Sequence, residues 1–141
     1  MELFDNIPGD LSFDKSENLL VRKNDKDYLH TIPNTNAKYA LNLVELGTPE
    51  ALQRAEKVIE AVLKCQELDE KNKHFGNFFW EKEDGFVEDL NAVEFVMINF
   101  IPMIIRHGDR LSENLKKKIL ISIKFALHEI EKINVSFIYT N

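Results

Sequence analysis

The sequence predicts an all-α fold made of two consecutive αα-hairpins. Apolar residues recur at helical spacing in four separate stretches. Gly47-Thr48-Pro49-Glu50 punctuates the first pair, and the polar turn His107-Gly108-Asp109-Arg110, followed by Ser112, punctuates the second. At 141 residues the chain is about one domain long.

Residues 1–35 read as an irregular N-terminal arm, because Pro8-Gly9, Asn24-Asp25 and Pro33-Asn34 break any period. Within it, Leu19-Leu20-Val21 is one strand or a docking segment. The helical-hairpin domain is expected over 36–141. From Asn36 onward Ala37, Ala40, Leu41 and Val44 share one face, and Gly47 stands where helices terminate. Thr48 is an N-cap with Pro49 at the first helical position and Glu50 in the first turn. The second helix is expected to reach about Leu68, with Leu52, Ala55, Ile59 and Val62 buried.

Asp69 to Asp89 shows no convincing period, and compact domains rarely carry an idle connection of about twenty residues. Asp89 is expected to N-cap a third helix through Asn91 to about Arg106. Its polar residues Asn91, Glu94, Asn99 and Arg106 lie to one side of an otherwise apolar surface, and Pro102 should bend it. Ser112 caps a fourth helix to about Lys132, and residues 134–141 read as a β-leaning tail.

Composition narrows the function classes. Hydrophobic content of 44% with 30% charged residues is that of a folded chain. The net charge of −6 argues against nucleic acid or an anionic membrane as partner. The single cysteine, Cys65, excludes an internal disulfide and reads as a buried inert thiol. No secretory signal is visible, and Phe95 to Ile105 is too short to span a bilayer. A cytoplasmic setting follows. His30, His74, His107 and His128 show no ligand spacing, so no metal site is expected, and no cofactor is implied.

The run Ala40 to Ile59, then Gly76-Asn77-Phe78-Phe79-Trp80, Asp89 to Phe95, Arg106 to Leu111 and Tyr139-Thr140-Asn141, resembles an uncharacterised family of large bacterial proteins. Those proteins are similar to six-hairpin, (α/α)6-toroid glycosidases and lyases. The resemblance covers about Tyr28 to Asn141. It implies that the two hairpins are the N-terminal portion of a partial α/α toroid, incomplete and inactive as 141 residues, that binds or processes carbohydrate.

Sugar chemistry needs an aromatic face for stacking and carboxylates as acid, base or nucleophile. On that basis Trp80 is the expected stacking platform, and Glu83, Asp84 and Glu94 the expected catalytic acids. Asn91, Arg106 and His107 are expected to bind substrate. The plainer readings stay open. Trp80 plugs the core, the loop acids are solvated, and Glu94 pairs with Arg106 or His107.

A different class of reading is a non-catalytic helical interaction or scaffold module. Its open hairpin edge would take a second copy or a complementing chain. A third starts from Arg106-His107-Gly108-Asp109-Arg110, which matches the Arg-His-Gly-x-Arg core of histidine acid phosphatases. Ser112 stands where that motif has proline, and no later acid partner follows.

Overall fold

The computed structural model describes residue 7 and residues 9–140, apart from the side chains of 134–140. Pro8 and Asn141, which figured in the expected arm and tail, lie outside the described residues. The fold is mostly helical, with a small antiparallel sheet added at the N-terminus.

That sheet corrects the expected irregular arm. β1 (Leu11–Asp14), β2 (Leu19–Lys23) and β3 (Tyr28–Leu29) form a meander in the order β1-β2-β3, with Leu11 opposite Arg22 and Asp14 opposite Leu19. Of the breakers that argued for a loose arm, Asn24-Asp25 is one of its turns, whereas Pro33-Asn34 lies in the helical turn Ile32–Asn36 that follows the sheet. Asn18 sits at φ 59°, Asp14 Oδ1 accepts the Ser16 amide at 2.9 Å, and Asn24 Oδ1 accepts the amides of Lys26 and Asp27 at 2.8 Å. Leu19, Leu20 and Ile32 belong to the same buried cluster as the helices. Buried Asn36 locks them there. Its Oδ1 accepts the Leu20 amide at 2.6 Å, and its Nδ2 donates to Leu20 O at 3.1 Å and Thr31 O at 2.8 Å. The amide thus pairs with β2 as a further strand would.

α1 (Ala37–Leu46) and α2 (Pro49–Leu63) form the expected first hairpin. Gly47 is left-handed at φ 73°, and Thr48 Oγ1 accepts the Ala51 amide at 3.2 Å. α2 ends short of Leu68 because the following backbone pairs elsewhere. Glu67 N donates to Asn77 O at 2.7 Å, Gly76 N to Glu67 O at 2.8 Å and Phe79 N to Cys65 O at 2.9 Å. The tightly turned segment 69–76 closes this ladder, so much of the expected loop is a hairpin laid against the helices.

α3 (Ala92–His107) is continuous through Pro102 and packs against α1 and α4 (Glu113–Thr140). Ser112 Oγ accepts the Leu115 amide at 3.2 Å, as a cap should. The tail is helical, not β-leaning. Extending an existing helix adds a hydrogen bond per residue without a new nucleus, which outweighs weak strand propensity. Among the described residues, no helix is long and apolar enough to cross a membrane. Cys65 is buried, and burial pushes its thiol up to about 12.

Candidate functional site

The densest side-chain chemistry lies where the sheet meets residues 80–85. His30, only 2% exposed, ends β3's edge with both ring nitrogens engaged. Nε2 lies 2.9 Å from Asp14 Oδ2, and Nδ1 lies 2.5 Å from Glu83 Oε2. The His30 amide also donates to Glu83 Oε1 at 2.8 Å, so Glu83 grips the residue twice. Asp14 further accepts from the hydroxyls of Ser16 at 2.6 Å and Tyr28 at 2.8 Å. The Tyr28 ring stands edge-on to His30, with centroids 5.3 Å apart.

Electrostatics follow from that geometry. Burial alone would raise the Asp14 carboxyl, but hydrogen bonds from Ser16, His30 and Tyr28 outweigh it and hold the group well below the usual carboxylate range. Glu83 is lowered too, with burial opposed by the His30 amide and ring. Both groups therefore favour folding above their unfolded values of 3.8 and 4.5, and that contribution is lost as pH falls. The melting temperature should drop on acidification below about pH 4.5. Asp14→Asn should flatten that slope in a thermal-melt series, and an unchanged slope would refute the assignment.

Glu83 was expected as a catalytic acid, and the structure gives it the partner His30 from 53 residues upstream. Asp14 and His30 carried no local signal of this pairing. The His30 ring is enclosed, while Glu83 and Tyr28 leave the outer side of the cluster exposed. Neither ring nitrogen of His30 faces solvent, and the Ser16 hydroxyl is bound to Asp14, not to the imidazole. It clamps the sheet to the connection and offers no attacking group.

Trp80 and Asp84 do come together, in an open cleft of about 530 Å³ lined also by Glu81, Glu88, Asp89 and Leu90. Trp80 is half-buried and edge-on to Phe95 of α3, 5.9 Å between centroids. Asp84 Oδ2 accepts the Glu81 amide at 3.0 Å in a reciprocal cap of the short turn Lys82–Asp84. Burial raises the Glu81 carboxyl, opposed by the Thr31 hydroxyl at 2.7 Å and reinforced by the charges of Asp84 and Glu83.

The remaining expected residues lie elsewhere. Asn91 and Glu94 are exposed at the start of α3, and Arg106 is exposed at its end. Twelve residues of helix separate Glu94 from Arg106 by about 18 Å, so they neither pair nor share a site with each other. His107 is half-buried, with Nε2 3.8 Å from Glu45 Oε2. Arg110 Nη1 donates to the Val44 and Glu45 carbonyls at 2.9 Å each. The Arg-His-Gly-Asp-Arg turn thus closes the C-terminus of α1.

Asp89 is not the cap of α3. Its Oδ1 accepts only the Asn91 amide at 2.9 Å, whereas buried Asn77 reaches the first turn and accepts the Val93 amide at 3.0 Å. Asn77 also donates to Leu90 O at 3.1 Å and Glu129 Oε2 at 3.0 Å. Among the described residues, no group of three or more His, Cys, Asp or Glu is placed to hold a metal ion.

What the surface of α3 presents is apolar. Phe95 is 39% exposed, Ile98 63% and Ile105 76%, with Leu90 and Phe86 exposed just before the helix. The inward side is saturated by Val93, Val96, Met97, Phe100 and Met103. Of the polar strip expected on one side of this helix, Asn91, Glu94 and Arg106 are exposed and Asn99 is buried, with Phe95, Ile98 and Ile105 exposed between the two charges.

No curated protein and no solved structure matches this sequence. Residues 3–129 match the family described as a domain of unknown function, DUF8769, and the chain belongs to that family.

Proposed function

We propose that this chain is a non-catalytic helical interaction module whose working surface is the outer face of α3. The observation that supports it is the row Phe95, Ile98 and Ile105, large apolar side chains left in water at helical spacing beside a completed core. The polar clusters support the same reading, because each is spent on holding the fold. His30 joins the sheet to the connection, Asn77 joins the connection to α3 and α4, and Arg110 closes α1.

A titration with an anionic hydrophobic dye at low protein concentration tests it. The folded wild type should enhance dye fluorescence. Ile98→Glu combined with Ile105→Glu should remove most of that signal while leaving the melt within about 1 kcal/mol of wild type, since exposed positions tolerate substitution. Equal dye signals from the two proteins would overturn the reading.

A second reading, saccharide binding as part of an (α/α)6-toroid protein, is favoured by one observation. Trp80, Glu81 and Asp84 share an open cleft, and Glu81 is the acid whose environment favours its protonated form. Glycan oligomers at about 10 mM, far above a typical weak sugar affinity, should then shift the Trp80 indole resonance. An unmoved resonance would end this reading.

A further inference from the structure

The exposed row on α3 is laid out symmetrically about position 100. Phe95 and Ile105 stand five residues to either side of it, Ile98 and Pro102 two, and Glu94 and Arg106 six. We propose that α3 is the contact element of a two-fold symmetric homodimer in which the helices of two copies pack antiparallel.

A two-fold interface uses one patch twice, so the patch must complement itself. Antiparallel packing about position 100 sets each copy's Phe95 level with the second copy's Ile105, and brings the two Ile98 side chains toward the crossing point. The same arrangement sets Glu94, in the first turn, level with Arg106, in the last turn. A parallel arrangement would set Glu94 against Glu94 and Arg106 against Arg106. The charges therefore select the antiparallel form, and the opposed helix dipoles favour it as well. A different protein docking on this row would need no such symmetry from it.

The patch is short. Glu94 to Arg106 spans about 18 Å, less than a standard interface of about 800 Å² per partner requires, so the dimer is expected in the micromolar range. Phe86 and Leu90 extend the apolar surface at the Glu94 end. This inference rests on the interaction reading, because a row that packed within its own chain could not serve it.

Sedimentation velocity of the full chain between about 1 and 200 µM tests the proposal. Wild type should pass from monomer to dimer, and Ile98→Glu should weaken association about a hundredfold. Glu94→Arg and Arg106→Glu should each weaken it about tenfold, and the two together should restore it, because the symmetric pairs are then reversed and intact. Circular dichroism of each variant confirms that it is folded. A wild type monomeric throughout overturns the dimer, as does one that instead binds neutral phospholipid vesicles. A doubly substituted protein no better than the single variants also overturns it. If the dye response is lost on substitution while the wild type is monomeric, only the dimer falls. A dye response that does not change ends the interaction reading with it.

Discussion

Asn77→Ala should destabilise the protein by about 4 kcal/mol, near the upper end for a single polar substitution. The side chain is fully buried, and its four hydrogen bonds run to three different parts of the fold. Oδ1 accepts the amides of Phe78 at 2.8 Å and Val93 at 3.0 Å, while Nδ2 donates to Leu90 O and Glu129 Oε2. Truncation leaves a first-turn N–H of α3 without its acceptor. It also strips Glu129, 1% exposed, of its amide donor, leaving Oε2 only His74 Nδ1 at 3.4 Å when Oε1 already has no partner.

Each buried group orphaned this way costs about 1–3 kcal/mol, and alanine cannot admit the donors that would replace the amide. Asn77→Asp separates the two halves of the effect. It keeps the acceptor for Val93 but replaces the donor to Glu129 with a second carboxylate, so its loss should be at least as large as that of Asn77→Ala. Urea denaturation of the three proteins checks both statements. A change under about 1 kcal/mol for Asn77→Ala would mean that α3 and the connection are not held through this residue.

Asn77 also shows which parts of the fold were legible in the sequence. The first hairpin was readable because its signals are local. Gly47, Thr48 and Pro49 act on atoms within four residues, and the structure uses each as expected. Ser112 is the same case. Asp89 had equally good local credentials as the cap of α3, but a residue more distant in sequence, Asn77, took the role by packing against the helix start. Leu19-Leu20-Val21 was legible as a candidate strand, but the rest of the sheet was missed because its strands are two to five residues long and its turns look like disorder when read alone. Its stability comes from Asn36 and from the leucines it buries against the helices, which no local period reports.

The candidate site divides along the same line. Aromatic and acidic residues of the connection were found by composition, and Trp80 and Asp84 do share a cleft. Glu83 was singled out without its partners, since His30 and Asp14 lie 53 and 69 residues upstream. Glu94 and Arg106 were singled out as polar exceptions inside an apolar helix. That logic holds only if the apolar side chains face inward. Phe95, Ile98 and Ile105 face outward, so the charges flank a surface and do not line a pocket.

Gly76→Ala should cost about 3 kcal/mol or more, for a reason that backbone conformation alone does not supply. Gly76 sits at φ 96°, which L residues rarely adopt. A Cβ there would lie 2.3 Å from the Phe125 carbonyl oxygen and 2.9 Å from its carbon, both backbone atoms in the middle of α4. Neither can swing aside as a side-chain tip would.

Gly85 gives the control. It is also left-handed, at φ 68°, but nothing lies within 4 Å of a Cβ, so Gly85→Ala should cost about 1 kcal/mol. The difference between the two measures how tightly the connection lies on α4. Gln66 bridges the same seam, with Nε2 donating to Gly76 O at 2.9 Å and Ser122 O at 3.1 Å. The Phe75 and Phe125 rings meet 4.8 Å apart, and Lys132 reaches the Lys73 carbonyl. Lifting Gly76 from α4 would draw Asn77 with it, and Asn77 holds the first turn of α3. Hydrogen exchange in Gly76→Ala should therefore rise at residues 92–96 as well as at 74–79. Faster exchange confined to the connection would mean that α3, and the apolar row it carries, keeps its position without that seam.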